Sequence, residues 1–186
     1  MRLFAAVPLS PAALGAAKST LQRLEAEGWP VRWVREAGLH LTLKFLGEQP
    51  PESATGIARA MDGVATRHRR FVMRLGGIGA FPNFRRPRVV WMGVTPDPRL
   101  ELLHHDVEEA CASLGFDVEG RAFRPHLTLA RVRDRMDGDV LRRLSRAGKG
   151  VAYSDASVVE SIDLMQSIVG VNARYERMHV APLRDA

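Results

Sequence analysis

The chain has one cysteine, Cys111, in 186 residues, and this excludes an internal disulfide. It has no apolar run near the roughly 18 residues that a membrane helix needs, and residues 1–7 are too short for the apolar region of a secretion signal. It also has no linker-like or low-complexity stretch. We therefore expect one cytoplasmic domain over residues 1–186 with no membrane-bound part. Because Cys111 falls in a helical apolar stripe, we interpret it as a buried structural thiol.

The residues that are present describe an ordinary globular protein with an excess of positive charge. Hydrophobic residues make up 46% of the chain and charged residues 26%, both typical of soluble domains. The formal net charge is +6 at pH 7. This excess favours anionic partners such as phosphates or RNA without requiring one.

Periodicity and turn residues predict four helices and eight strands. The helices are expected from Pro11 to Gly28, at 52–68, from Pro98 to Gly115 and at 139–147. The strands are expected at 2–7, 31–34, 39–46, 71–78, 89–94, 125–132, 158–169 and 174–180, with a loop at 79–84 and a turn at 170–172. Hairpin-like strand pairs with helices between them indicate an α+β fold with mainly antiparallel sheet.

The tetrapeptide His-Leu-Thr-Leu occurs twice, at 40–43 and at 126–129. With 6 histidines and 6 threonines in the chain, chance would give about 0.2 His-x-Thr triplets, so the repeat is a real signal. Each copy alternates polar and apolar residues as a half-buried strand does. His40 and Thr42 then share one face, and Leu41, Leu43 and Phe45 take the other. The repeat predicts a pseudo-symmetric fold of two lobes, with one motif in each lobe.

Two such motifs suit chemistry at phosphorus. Histidine exchanges protons near neutral pH, and two histidines on opposite sides of a phosphorus atom can serve the attacking and leaving oxygens of an in-line displacement. A threonine hydroxyl on the same face can donate a hydrogen bond to a phosphate oxygen. No cluster of His, Cys, Asp or Glu has metal-ligand spacing, so neither a metal nor another cofactor is expected.

The other candidates carry weaker signals. Phe84 and Arg85 are candidate RNA contacts, because a base could stack on the ring while Arg85, Arg86 and Arg88 follow phosphates; a solvated basic loop is an equal alternative. His68 lies in a basic patch, and His104, His105 and His179 are expected on the surface. Trp33 and Trp91 are expected in the strand core.

The chain resembles the two-histidine phosphoesterase superfamily, and in it the RNA 2′,3′-cyclic phosphodiesterases, the LigT-like proteins once called 2′-5′ RNA ligases. The resemblance covers nearly the whole chain. It rests on Trp33-Val34 before residues 40–48, Gly79–Pro82 with Pro87–Gly93, Phe123–Arg131, and Ser167 with Ala173-Arg174-Tyr175. One departure is Val171-Asn172, where the family often has adjacent glycines; Asn tolerates positive φ better than most residues.

The resemblance implies a bilobal α+β fold with helices outside the sheets and an active site in the cleft between the lobes. It implies hydrolysis of a terminal RNA 2′,3′-cyclic phosphate to a 2′-phosphate without metal, and weak reversible 2′-5′ ligation. Carried over, His40 is the proton donor to the leaving 3′-oxygen and His126 the proton acceptor from water. Thr42, Thr128 and Arg131 would hold the phosphate. In a regular strand Arg131 would point away from His126, so a bend must redirect it.

Two other interpretations stay open at this point. One is a phosphodiesterase for a small cyclic nucleotide, which needs the same site without an RNA groove. The other is an RNA-end-binding module without turnover. The expected partners are therefore RNA 3′ ends or small cyclic-phosphate nucleotides, bound by a monomer.

Overall fold

The computed structural model describes residues 1–133, 136–149, 155–168 and 174–185. Its four α-helices are α1 Pro11–Glu25, α2 Ser53–Ala65, α3 Pro98–Ala112 and α4 Gly138–Lys149, with a 3₁₀ turn at Glu36–Gly38. Its strands are β1 Arg2–Pro8, β2 Val31–Trp33, β3 His40–Glu48, β4 Phe71–Phe81, β5 Val89–Val94, β6 His126–Val132, β7 Asp155–Val159, β8 Ser161–Ile168 and β9 Arg174–Pro182. No helix in these ranges is long and apolar enough to cross a membrane.

Within these residues the nine strands form one sheet whose strand pairs are all antiparallel. The order is β7-β4-β5-β6-β3-β1-β8-β9, and β2 pairs with β6. The two motif strands, β3 and β6, are neighbours at the centre, where Leu41 pairs with Leu127. Each motif therefore belongs to a different half of the sheet, with four strands of this order on each side of that junction and β2 as the ninth. The α+β fold with antiparallel strands is confirmed.

The sheet is strongly curled. Strands β7 and β8 stand near opposite ends of the strand order, yet only Glu160 separates them along the chain. Since consecutive residues cannot be far apart, the two ends of the sheet must approach each other. The concave surface that results is where side chains from β1, β3, β6, β8 and β9 converge.

The apolar face of the sheet packs on the helices in one core. Leu41 and Leu127 are fully buried in it, and so are α3 residues Leu100 and Leu103. Cys111 is buried in the same helix, as predicted. Helix α3 begins after Asp97, whose carboxylate accepts a hydrogen bond from the Arg99 amide at 2.8 Å. Such a cap satisfies one of the free amides of the first turn.

Two predicted boundaries were wrong. Strand β4 continues to Phe81, through the first half of the predicted loop, because Gly79, Ala80 and Phe81 pair with Trp91, Val90 and Val89 of β5. The single strand predicted at 158–169 is two strands, because residues 155–159 pair with β4 while residues 161–168 pair with β1 and β9. The predicted turn at 170–172 lies outside the described residues.

Candidate active site

The pairing of β3 with β6 brings the two motifs side by side. Because Leu41 pairs with Leu127 in antiparallel register, Thr128 lies beside His40, and Thr42 lies beside His126. The four polar side chains thus form a square with the histidines on one diagonal. In a regular sheet such a diagonal separates Cβ atoms by about 7–8 Å, which leaves room for a tetrahedral group between two imidazoles.

A β-bulge redirects Arg131 toward this square. On β5, Val90 pairs with Ala130 but its neighbour Trp91 pairs with Thr128, so Leu129 has no partner there. Leu129 and Ala130 are both buried, and the alternation of faces resumes one residue late. Arg131 therefore lies on the same face as Thr128, and the bend required by the sequence prediction is present.

The same irregularity occurs in the first motif and corrects one prediction. Ala5 pairs with Lys44 and Ala6 with Thr42, so Leu43 is the extra residue. Lys44 turns inward and is 5% exposed, while Phe45 is 68% exposed. Phe45 thus shares the face of His40 and not that of Leu41, contrary to the sequence prediction. Phe45 and Arg131 occupy equivalent places, each five residues after its histidine.

A cavity of about 380 Å³ opens on this face. Its wall contains three arginines and no carboxylate. The lining residues are Arg2, Phe4, Arg32, Val34, Gly38, His40, Thr42, Phe45, Thr128, Arg131, Ser167 and Tyr175. His126 is not part of this wall; it lies next to it, on the strand that carries Thr128 and Arg131. The cavity suits an anionic ligand with an apolar part.

Aromatic rings enclose His40. Its imidazole stacks on Phe4 with ring centroids 4.9 Å apart, and the edge of Tyr175 contacts it at 5.3 Å. The Nδ1 atom is buried and makes no hydrogen bond of normal geometry to a described residue. Burial lowers the pKa of His40 to about 4, against a smaller opposite effect of the Ala37 carbonyl. The ligand-free site therefore holds His40 neutral at pH 7.

Aromatic rings also surround His126, but its tautomer is fixed. Phe81 contacts the imidazole edge-on at 4.9 Å and Trp91 lies at 6.2 Å. Nδ1 is 2.6 Å from the carbonyl oxygen of Arg124. Since a carbonyl only accepts, Nδ1 carries the proton and the lone pair is left on Nε2. Burial lowers the pKa of His126 below 6.5, the Arg124 carbonyl opposes this shift, and the charge of Arg131 adds to it.

A buried ion pair supports the first motif from behind. Lys44 Nζ donates to Glu108 Oε2 of α3 at 2.6 Å and to the Asp117 carbonyl at 2.8 Å. Glu108 Oε2 also accepts from the Glu119 amide at 3.2 Å. The residues at 117–119 belong to the segment that leads into β6. The pair therefore ties β3, α3 and the approach to the second motif together.

The remaining predictions had mixed outcomes. Phe84 packs partly on the core, close to Gly148 of α4, and Arg85 is exposed; neither lines the cavity, and their RNA role stays a prediction. The surface assignment of His104 was wrong, because its ring stacks on Phe123 at 3.9 Å. His68 is buried against Asp106. Trp91 is only half-buried and lies beside His126.

Sequence reasoning did not place five residues in the cavity wall: Arg2, Phe4, Arg32, Gly38 and Phe45. Phe45 was assigned to the wrong face because the alternation of polar and apolar residues does not reveal the bulge at Leu43. Tyr175 and Ser167 were noted only as part of a matching tail. In the described part of the chain no three or more His, Cys, Asp or Glu residues are grouped as a metal site would require.

Comparison with known proteins gives consistent matches. The family model of the 2'-5' RNA ligase superfamily matches residues 11–165. An RNA 2',3'-cyclic phosphodiesterase of Geobacillus stearothermophilus is 34% identical over 187 residues, 98% of this chain and 57% of that protein. One of Aeropyrum pernix is 37% identical over 143 residues, 76% of this chain and 80% of that protein. A crystal structure of a Thermus thermophilus protein superposes with a TM-score of 0.84 at 26% identity, covering 100% of this chain and 99% of the other. The chain thus spans little more than half the length of the Geobacillus relative.

Proposed function

We propose that this chain, which belongs to the 2'-5' RNA ligase superfamily, hydrolyses a 2′,3′-cyclic phosphate at the end of an RNA to a 2′-phosphomonoester. The observation that carries the proposal is the diagonal pair of histidines, each with the threonine of the other motif beside it. The relatives from Geobacillus and Aeropyrum carry the name of this activity, which supports the same substrate class here.

In the reaction that we infer, His126 is the base. Its Nε2 lone pair takes a proton from the water whose oxygen attacks phosphorus. The bond between phosphorus and the 3′-oxygen breaks, and His40 gives its proton to that oxygen. The product carries a 2′-phosphate and a free 3′-hydroxyl, and His126 has gained the proton that His40 has lost.

The same mechanism requires His40 to be protonated when the substrate is bound. Burial keeps the pKa of His40 near 4 in the ligand-free site. A phosphodiester anion against the ring favours the charged imidazolium and raises that pKa, because an opposite charge within a few ångströms stabilises the charged form. Substrate binding and protonation of His40 are thus coupled, and each promotes the other.

The other side chains would bind the substrate. The hydroxyls of Thr42 and Thr128 would donate to the non-bridging phosphate oxygens, and Arg131 would neutralise their charge. Phe45 is exposed on the cavity wall, and its ring centroid lies 6.0 Å from that of Phe4. Its ring offers a face on which the terminal base can stack. We also infer one two-lobed domain, and a monomer, because one chain supplies both motifs. A cytoplasmic location fits an RNA substrate.

The test is to incubate the purified protein, in excess chelator, with an RNA that ends in a 2′,3′-cyclic phosphate. We expect turnover and a 2′-phosphate product, identified by its resistance to a 3′-specific phosphatase. A 3′-phosphate product would contradict the assignment of the leaving oxygen. Complete loss of turnover in chelator, restored by a divalent ion, would contradict the two-histidine mechanism. Turnover of cyclic mononucleotides without turnover of RNA ends would favour the alternative of a phosphodiesterase for small cyclic nucleotides.

A further inference from the structure

Arg2 is a cavity-wall arginine to which the mechanism above gives no role. It begins β1, is exposed, and lines the same cavity as His40. Its guanidinium makes no hydrogen bond and no ion pair with a side chain or carbonyl of the described residues. Its register neighbours are Ser167 on β8 and Glu48 on β3, and the Glu48 carboxylate lies 3.6 Å from the amino group of Met1. An unpaired guanidinium in a concave wall is a strong candidate to bind an anion.

Aromatic residues separate Arg2 from the catalytic square. Phe4, two residues along the strand from Arg2, stacks on His40. Tyr175, the register partner of Ser167, contacts both His40 and Phe4. Arg2 and Ser167 therefore lie beyond the rings that enclose His40, while Thr42 and Thr128 lie next to it. The cavity wall therefore has two sets of polar side chains: those of the two motifs at the square, and Arg2 with Ser167 past the aromatic rings.

The substrate has a second anion in a matching place. The nucleotide that bears the cyclic phosphate is joined to the rest of the RNA through a phosphate on its 5′ side. If the cyclic phosphate lies between the histidines and the base on Phe45, which contacts Phe4, the 5′ side of the ribose would face the Arg2 end of the cavity.

We propose that Arg2 and Ser167 form a subsite for the phosphate on the 5′ side of the terminal nucleotide. This inference rests on the proposed function and specifies it. The subsite favours RNA ends and 5′-phosphorylated nucleotides over nucleoside 2′,3′-cyclic phosphates without a 5′-phosphate. Arg2 supplies the charge and a forked set of donors, and the Ser167 hydroxyl supplies one more donor.

A two-by-two comparison tests the subsite. The substrates are adenosine 2′,3′-cyclic phosphate and its 5′-phosphorylated form, and the proteins are wild type and Arg2→Met. We expect the 5′-phosphate to raise kcat/KM of the wild type about tenfold, as one charge-assisted contact would, and that of Arg2→Met less than twofold. Arg2→Lys should keep part of the gain. Arg59→Met, which removes an exposed arginine of α2, is the matched control and should behave as wild type.

The outcomes separate the two proposals. Equal losses on both substrates in Arg2→Met would overturn the subsite, and so would an unchanged gain from the 5′-phosphate. Neither result would affect the proposed hydrolysis, which is tested separately by the turnover and the product of the wild type on an RNA end. Arg2 is exposed, so the variant should fold; an unchanged urea midpoint would show it.

Discussion

The buried pair of Lys44 and Glu108 gives the prediction with the largest expected effect on stability. Both side chains are nearly buried, at 4% and 6% exposure, and their charged atoms are 2.6 Å apart. Lys44→Met keeps the length of the side chain and removes the charge, which leaves the Glu108 carboxylate buried without its counter-ion. Breaking a buried pair in this way costs about 3–5 kcal/mol of unfolding free energy.

The assay is urea unfolding followed by circular dichroism, with a thermal scan beside it. For a chain of this size the cost corresponds to a melting temperature lower by roughly 6–20 °C. Lys18→Met is the matched control, because the Lys18–Glu36 pair has the same 2.6 Å distance but exposures of 42% and 56%. That exposed pair should contribute less than about 1 kcal/mol.

A double variant separates the effect of the unpaired buried charge from the effect of the lost hydrogen bonds. In Lys44→Met/Glu108→Leu no charge is left buried, so most of the stability should return. About 1–2 kcal/mol should stay lost, because the Asp117 carbonyl and the Glu119 amide each lose a partner. A cost below about 1 kcal/mol in Lys44→Met, or a double variant as unstable as the single one, would refute this reasoning.

Three further predictions concern the site. Thr42→Ala or Thr128→Ala should raise the barrier by up to a few kcal/mol and the serine variants by less, measured as kcat/KM in folded protein; serine variants as inactive as alanine would exclude the hydroxyl's role. Gly79→Ala should lower stability by about 1–3 kcal/mol and also lower kcat, because the added methyl would overlap the Trp91 ring beside His126; unchanged values in urea unfolding and rate assays would contradict the packing. The pH profile of kcat/KM should be bell-shaped with its maximum between about pH 4 and pH 6.5, because His126 must be neutral, His40 must be charged, and both pKa values are lowered. The maximum of kcat should lie at higher pH, because bound phosphate raises the pKa of His40. A kcat maximum at lower pH would contradict that coupling.

The local pattern of the chain predicts most of the elements and the chemistry of the motifs. The alternation in both His-Leu-Thr-Leu segments places His40, Thr42, His126 and Thr128 on the polar face, and the structure agrees. These predictions succeeded because they depend on neighbours one or two residues away. That the two strands pair with each other is a long-range property, and no periodicity contains it.

Two of the failures, at Phe45 and at Glu160, are connected with irregularities of a curved sheet. A bulge at Leu43 inverts the faces of Lys44 and Phe45, and the sequence period carries no sign of it. The burial of Lys44 depends on Glu108, 64 residues away. The break at Glu160 arises because the residues on its two sides pair with different strands, β4 before it and β1 after it. A bend near Leu129 was predicted only because the family resemblance placed Arg131 in the site, which a regular strand would not allow.

The assignment of the acid and the base is tested most directly with a substrate whose 3′-leaving group needs no protonation, such as a phosphothiolate. His40→Ala should be nearly inactive on ordinary cyclic phosphate and largely restored on this substrate, because the proton that it supplies is no longer needed. His126→Ala should stay inactive on both, because water must still lose a proton. Restoration of the His126 variant instead would reverse the roles, and restoration of neither would show that both histidines chiefly bind phosphate.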